Sequence, residues 1–159
     1  MRRSEASCLV FVSNHSSQVK IRIQNLKRFT RSVLKRLGYR GALLSLTFVS
    51  DATIKRINRQ YLKHDWVTDV LAFPPPKTSP AQKASFGRCV GEVIISPKRA
   101  QVYARQHNLP VARELARYVC HGILHLKGYS DHSAREQIAM ERMENKLLNR
   151  LRQEVKRLL

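Results

Sequence analysis

The sequence predicts an α+β domain in which helices pack on one four-stranded mixed sheet. Three observations carry that reading. A chain of 159 residues, 43% of them hydrophobic, has the size of one domain with a single substantial core. Four short runs rich in β-branched and aromatic residues are interleaved with about five longer segments whose apolar residues recur at helical spacing. No internal repeat or linker divides the chain, so residues 1–159 are read as one domain.

The elements follow in order. Cys8 to Ser13, rich in Val and Phe, reads as the first strand. Its apolar run is too short for a secretory signal and no small-residue cleavage site follows, so the expected location is cytoplasmic. A helix is expected over 18–37, where Val19, Ile23, Leu26, Val33 and Leu37 form the apolar stripe and Gly38 sits where a C-terminal cap belongs. Leu43 to Val49 reads as the second strand. Ser50 or Asp51 can cap a helix over 52–62. Val67 to Phe73 is the third strand, ended by three prolines that cannot donate to a ladder. After a polar, basic loop come a strand over Val90 to Ser96 and a helix over 98–106, with Pro97 in its first turn. Pro110 starts another helix, carrying Val111, Leu115, Val119 and Ile123, which Gly128 stops. The last helix opens with Ser133-Ala-Arg-Glu136, a capping-box pattern, and its apolar stripe runs from Met140 to Leu158.

Thirty Lys and Arg against eleven Asp and Glu leave a formal charge of +19. A surface so basic concentrates polyanions and speeds their encounter, and nucleic acid is the partner it favours over an anionic membrane. No apolar run is long enough to span a bilayer. Lys20, Arg22, Lys27, Arg28, Arg31, Lys35 and Arg36 fall between the apolar positions of the first helix, a candidate phosphate-binding stripe or simply a solvated face. The three cysteines have no paired spacing, so neither a disulfide framework nor a cysteine zinc knuckle is expected.

The chemistry concentrates in residues 121–132. His121 and His125 are four apart on a predicted helix, which stacks two imidazoles on one face. Gly128 then allows a sharp turn that can swing Asp131 or His132 back toward the pair. Three protein donors with one open position is the layout of a catalytic zinc site. A single His on a helix is more often packed or solvated, and His15, His64 and His107 are read that way. The pattern is not that of the helical zinc proteases, which need Glu directly after the first His; here the residue is Gly122. A bound metal can also polarise a phosphoryl oxygen and activate water, and phosphodiester hydrolysis accounts for the charge as well.

These residues resemble the YbeY family of bacterial endoribonucleases. His121-Gly-Ile-Leu-His125-Leu-Lys-Gly128-Tyr-Ser-Asp131-His132 is similar to the family's metal motif, His-Gly-x-Leu-His-Leu-x-Gly-Tyr-Asp-His. Asn58-Arg-Gln-Tyr61-Leu-Lys-His-Asp65-Trp-Val-Thr68-Asp69-Val-Leu-Ala-Phe73-Pro74 resembles a second motif, and Gly91-Glu92-Val-Ile-Ile-Ser96 a third. The resemblance implies a metal-dependent, single-strand-specific endoribonuclease that acts in maturation of small-subunit ribosomal RNA and in ribosome quality control. It implies one zinc ion on three histidines, and ribosomal RNA, the small subunit or its assembly factors as partners. Six residues separate His125 from His132, where the family has five. Ser130 looks like the insertion; His132 is favoured as third ligand, with Asp131 the alternative. Leu62 stands where the family often has an Arg thought to contact RNA, so Arg59 or Lys63 would have to replace it. Lys27, Arg28 and Arg31 are further candidates for holding RNA, as is the basic loop near 77–88.

Glu92 is a candidate general base if it faces the ion, and otherwise an edge carboxylate paired with a cation. Asp69 could position RNA or water, although a turn or capping role suits its place before a strand better. Tyr61 and Trp66 could stack on unpaired bases or simply pack. Tyr129 buttresses the metal loop. The reading from another class is a non-catalytic RNA-binding assembly factor with a structural metal, for which a closed four-ligand site would be the sign.

Overall fold

The computed structural model describes residues 7–77 and 88–159. Among these residues are four strands and six helices: β1 Leu9–Asn14, α1 Ile23–Arg36, β2 Ala42–Phe48, α2 Asp51–Leu62, β3 Val70–Phe73, β4 Arg88–Ile95, α3 Pro97–Gln106, α4 Val111–Lys127, α5 Ala134–Arg150 and α6 Arg152–Val155. The strand order is β1-β2-β4-β3, with β1, β2 and β4 parallel and β3 antiparallel to β4. The result is the expected α+β domain with a mixed sheet. Most of the expected 77–88 loop lies outside the described residues. Among the described residues no helix is long and apolar enough to cross a membrane.

Strand alternation sorts the two faces. In β2, Ala42, Leu44, Leu46 and Phe48 are buried while Leu43, Ser45 and Thr47 are half-buried. The buried set joins Val93 and Ile95 of β4 against α1 and α4, whose Leu26, Phe29, Val33, Leu115, Val119 and Ile123 complete the main core. On the other face α2 covers the β3–β4 half, placing Ile54 and Ile57 over Leu71, Phe73 and Ile94. Leu9 and Phe11 of β1 stay exposed on the face away from the core.

Two glycines set close approaches. A Cβ on Gly122 of α4 would collide with Val93 and press on Val70, so the helix lies closer to the sheet than any other residue allows. Gly91, at φ +136°, sits at a register shift between β2 and β4, and a Cβ there would strike the Phe73 carbonyl oxygen.

Three boundaries differ from expectation. The first helix begins at Ile23 rather than near residue 18: Val19 and Ile21 are buried but precede the helix, and Arg22, its extended N-cap, donates its N–H to the Leu158 carbonyl. The third strand is confined to 70–73, because residues 63–69 form the turn leaving α2. The last helix breaks at Leu151 (φ −107°, ψ 20°) into α5 and α6. That bend brings buried Val155 and Leu158 against α1, where the Asn25 side chain donates to the Arg157 carbonyl at 2.7 Å.

Candidate metal centre

α4 runs 17 residues from Pro110, its N-cap, and ends on Gly128, which takes a left-handed conformation at φ 107°. The Gly128 and Tyr129 N–H groups donate to the carbonyls of His125 and Leu124. This cap reverses the chain, so residues 129–131 return along the helix face that carries the two histidines. His121 and His125 lie edge to face with ring centroids 4.5 Å apart, and their Nε2 atoms are 3.0 Å from each other. Asp131 Oδ2 stands 3.4 Å from His125 Nε2 and 3.7 Å from His121 Nε2.

The partners at Nδ1 dictate what these nitrogens can do. The Tyr129 carbonyl oxygen, 3.1 Å from His125 Nδ1, can only accept, so a neutral His125 carries its proton there. The Glu144 carboxylate, 2.6 Å from His121 Nδ1, holds a proton on that nitrogen too. Both Nε2 lone pairs therefore point at each other across 3.0 Å, an arrangement that calls for a cation between them. The same surroundings favour a proton on His121. Burial lowers its pKa, but the hydrogen bond and charge of Glu144, with the charges of Asp69 and Asp131, raise it above the ordinary value.

The donor set fits a small divalent ion. Tetrahedral zinc with bonds of about 2.0–2.1 Å separates its ligand atoms by roughly 3.3 Å, close to the three separations between the imidazoles and the carboxylate. His121, His125 and Asp131 are the residues that could hold a metal together among those described. The Asp131 side opens into a cleft of about 540 Å³, lined also by Tyr103, Arg113, Arg117 and Glu141.

Behind the pair lies a buried ionic chain that the sequence reading missed. Glu144 on α5 is 3% exposed, and its Oε2 lies 3.6 Å from Arg117 Nη1. Arg117 Nε donates at 3.1 Å to both oxygens of Glu114, itself 2% exposed, and a second guanidinium nitrogen grips the same carboxylate. Burial opposes the charge on Arg117, but the bond to Glu114 and the charges of Glu114 and Glu144 outweigh it and raise its pKa. The guanidinium is flanked by the rings of Tyr103 and Tyr118. One signal pointed to Glu144: it falls four residues after Met140 and three before Leu147, a charge on the apolar stripe of its helix.

The remaining candidates scatter. His132 is exposed and outside the donor set, which takes Asp131 instead; with Ser130 in the turn, it is the carboxylate that the returning chain delivers. Glu92 does not face the histidines. It alternates with Val93, which packs on α4, and so lies on the opposite face, where Oε1 accepts from the Thr47 hydroxyl at 2.9 Å. Asp69 takes the turn role expected of it. It accepts from the Val70 N–H at 2.9 Å as a turn residue, and its charge reaches His121. Lys27, Arg28 and Arg31 lie on α1, which packs at the β1 edge, away from β3. Arg59 and Lys63 are exposed at the C-terminal end of α2, beside the turn that leads to Asp69. His15 and His107 take no part in the cluster, the latter stacking on Tyr103. His64 stacks on Trp66. The cysteines are free, and burial pushes the Cys120 thiol pKa up.

Comparison with known proteins bears on this geometry. The family model described as Endoribonuclease YbeY matches residues 11–152. An Endoribonuclease YbeY of Pelotomaculum thermopropionicum is 39% identical over 127 residues, covering 79% of this chain and 84% of its own. That of Syntrophotalea carbinolica is 33% identical over 148 residues, covering 92% and 97%. A solution structure of a Thermotoga maritima protein shares the fold at 22% identity, with a TM-score of 0.58 over 91% of this chain and 93% of that one.

Proposed function

Since the chain belongs to the family of the endoribonuclease YbeY, we propose that it is a metal-dependent endoribonuclease that cuts single-stranded RNA during maturation of small-subunit ribosomal RNA, with a part in ribosome quality control. The observation that carries the metal dependence is the pair of Nε2 atoms facing each other at 3.0 Å with Asp131 beside them. His121, His125 and Asp131 are the proposed ligands, Asp131 in place of the His132 that the family pattern favours. Zinc suits two imidazoles and a carboxylate. When bound it would polarise a phosphoryl oxygen and lower the pKa of a water at the open position.

The protein's own residues have separate tasks. Glu144 keeps the proton of His121 on Nδ1, and the Tyr129 carbonyl does the same for His125, so both ligand atoms stay available. Asp69 is the carboxylate proposed to position the RNA or the attacking water, since its charge already reaches His121. Glu92, across the sheet, is not proposed for the chemistry. The net charge of +19 favours a polyanionic substrate, and the site of action proposed is the cytoplasmic ribosome or its assembly intermediates. A structural ion wants four protein donors. Three donors beside an open cleft favour a catalytic one.

The test measures metal content and cleavage of a single-stranded ribosomal RNA fragment side by side. His121→Ala and His125→Ala are expected to lose both. Asp131→Asn is expected to lose more metal than His132→Ala, and the reverse order would reassign the third ligand. Full cleavage by metal-free His125→Ala protein would overturn the reading.

A further inference from the structure

The end of α2 and the turn from it to β3 carry exposed aromatic and apolar surface, of which Tyr61 packs edge to face on Phe73. Tyr61 is 61% exposed, Leu62 48%, Trp66 57% and Val67 36%. Trp66 is the single tryptophan of the chain. An indole is the largest apolar side chain available to a core, and here it stands in water.

The turn holds its backbone in place while presenting these rings. Asn58, 1% exposed, donates its side-chain amide to the Trp66 carbonyl at 3.0 Å. The Asn58 carbonyl accepts from the His64 N–H at 3.4 Å, and Lys63 ends the helix in a left-handed conformation at φ 61°. The His64 imidazole lies parallel to the indole, 4.3 Å between centroids and 14° between planes. Two flat rings are thus stacked before any ligand arrives. Two cations meet the residue between them: Lys55 and Arg59 each stand 3.9 Å from Asp65, in exposed pairs that hold little energy and leave their charge for other anions.

The location matters as much as the surface. Three residues after Trp66 comes Asp69, whose carboxylate accepts from the Val70 N–H. Val70 follows, in contact range of Gly122 beside His121. The four residue steps from Trp66 to Val70 span at most about 14 Å, so the turn that carries the rings is tied to the strand that packs beside His121. A protein hot spot buries its aromatic anchor in a pocket within a dry rim. Flat rings near cations on an open turn match a strand of unpaired nucleic acid instead, where bases stack and phosphates meet Lys and Arg.

We propose that His64 and Trp66 form a stacking platform for an unpaired nucleobase of the RNA strand that reaches the His121–His125–Asp131 cluster. This rests on the nuclease reading for its substrate and supplies a source of single-strand preference, because a base inside a duplex is already stacked on both faces.

With one tryptophan in the chain, its emission reports the site directly. The probes are a short oligoadenylate and an abasic oligomer of equal length, the same phosphates without bases. Oligoadenylate is expected to quench Trp66 and the abasic strand to leave it bright. Base–aromatic stacking is worth about 1–3 kcal/mol, so Trp66→Ala should weaken oligoadenylate binding about 5- to 150-fold and scarcely change abasic binding. Trp66→Phe should keep most of the affinity, and His64→Ala should lose part of it. Unchanged Trp66 emission, or equal oligoadenylate affinity for wild type and Trp66→Ala, overturns the proposal. Binding is read apart from cleavage. If wild type fails to cut RNA while Trp66 still governs base binding, the nuclease reading falls and the platform stands. If His125→Ala abolishes cutting while Trp66→Ala leaves base binding intact, the platform falls alone.

Discussion

At Glu144 a single side chain decides which nitrogen of His121 is free. Replacing it with Gln keeps the shape and removes the charge. Losing such a partner typically costs 10- to 100-fold in metal affinity, and Glu144→Gln is expected to weaken zinc binding within that range, measured by competition with a chelating dye. An unchanged affinity would show that His121 is oriented by packing alone. The raised pKa of His121 adds a pH dependence. Without metal, the stability that Glu144 lends the imidazolium is fully present below the ordinary value of about 6.5 and is lost as pH rises through the folded value. An ion must displace that proton, so zinc affinity should climb with pH across the same window, with proton release in calorimetry; a flat profile would contradict it. Much of the donor set was legible in the sequence, because two histidines four apart can share one ligand and helical geometry alone brings them together. The third donor was not. Whether residue 131 or 132 returns to the pair depends on how the turn after Gly128 absorbs Ser130, and local spacing is silent on that. Glu92 misled for a related reason: period-two alternation told that it opposes Val93, but not which face α4 would cover.

Elements were easier to read than their ends. Every strand and helix of the described residues except α6 was anticipated, because apolar periodicity and caps such as Ser50, Pro97, Gly128 and Ser133 are local signals. Ends fixed by distant partners were not: Arg22 stays out of α1 by bonding Leu158, and α5 breaks at Leu151 so that the chain can turn back on α1. The contact between α4 and the sheet gives the sharpest prediction at this scale. Gly122→Ala would push α4 off Val93 and Val70, moving both imidazoles with it. Overpacking of this kind costs about 1–3 kcal/mol, and a loss in that range is expected in urea unfolding, with weaker zinc binding alongside. Adding Val93→Ala should restore part of the zinc affinity by making room. Independent, additive effects of the two changes would rule out the close contact as the cause.

Charge acts at the scale of the molecule. Binding that neutralises about six phosphates weakens roughly a thousandfold between about 50 and 200 mM salt, so RNA affinity of this +19 chain should fall at least tenfold over that range. A flat salt response in a filter-binding titration would remove the polyanion argument. The order of assembly is also a property of the whole. The sheet pairs strands far apart in the chain, β1 with β2 and β2 with β4, and α4 packs on both β3 and β4. Glu144 comes later still, reaching back 23 positions to His121. Chains emerge from the ribosome N-terminus first. A nascent or truncated product that stops short of Glu144 therefore carries both imidazoles without the acid that fixes the tautomer of His121, and the donor pair is set only after that stretch of the last long helix has been made.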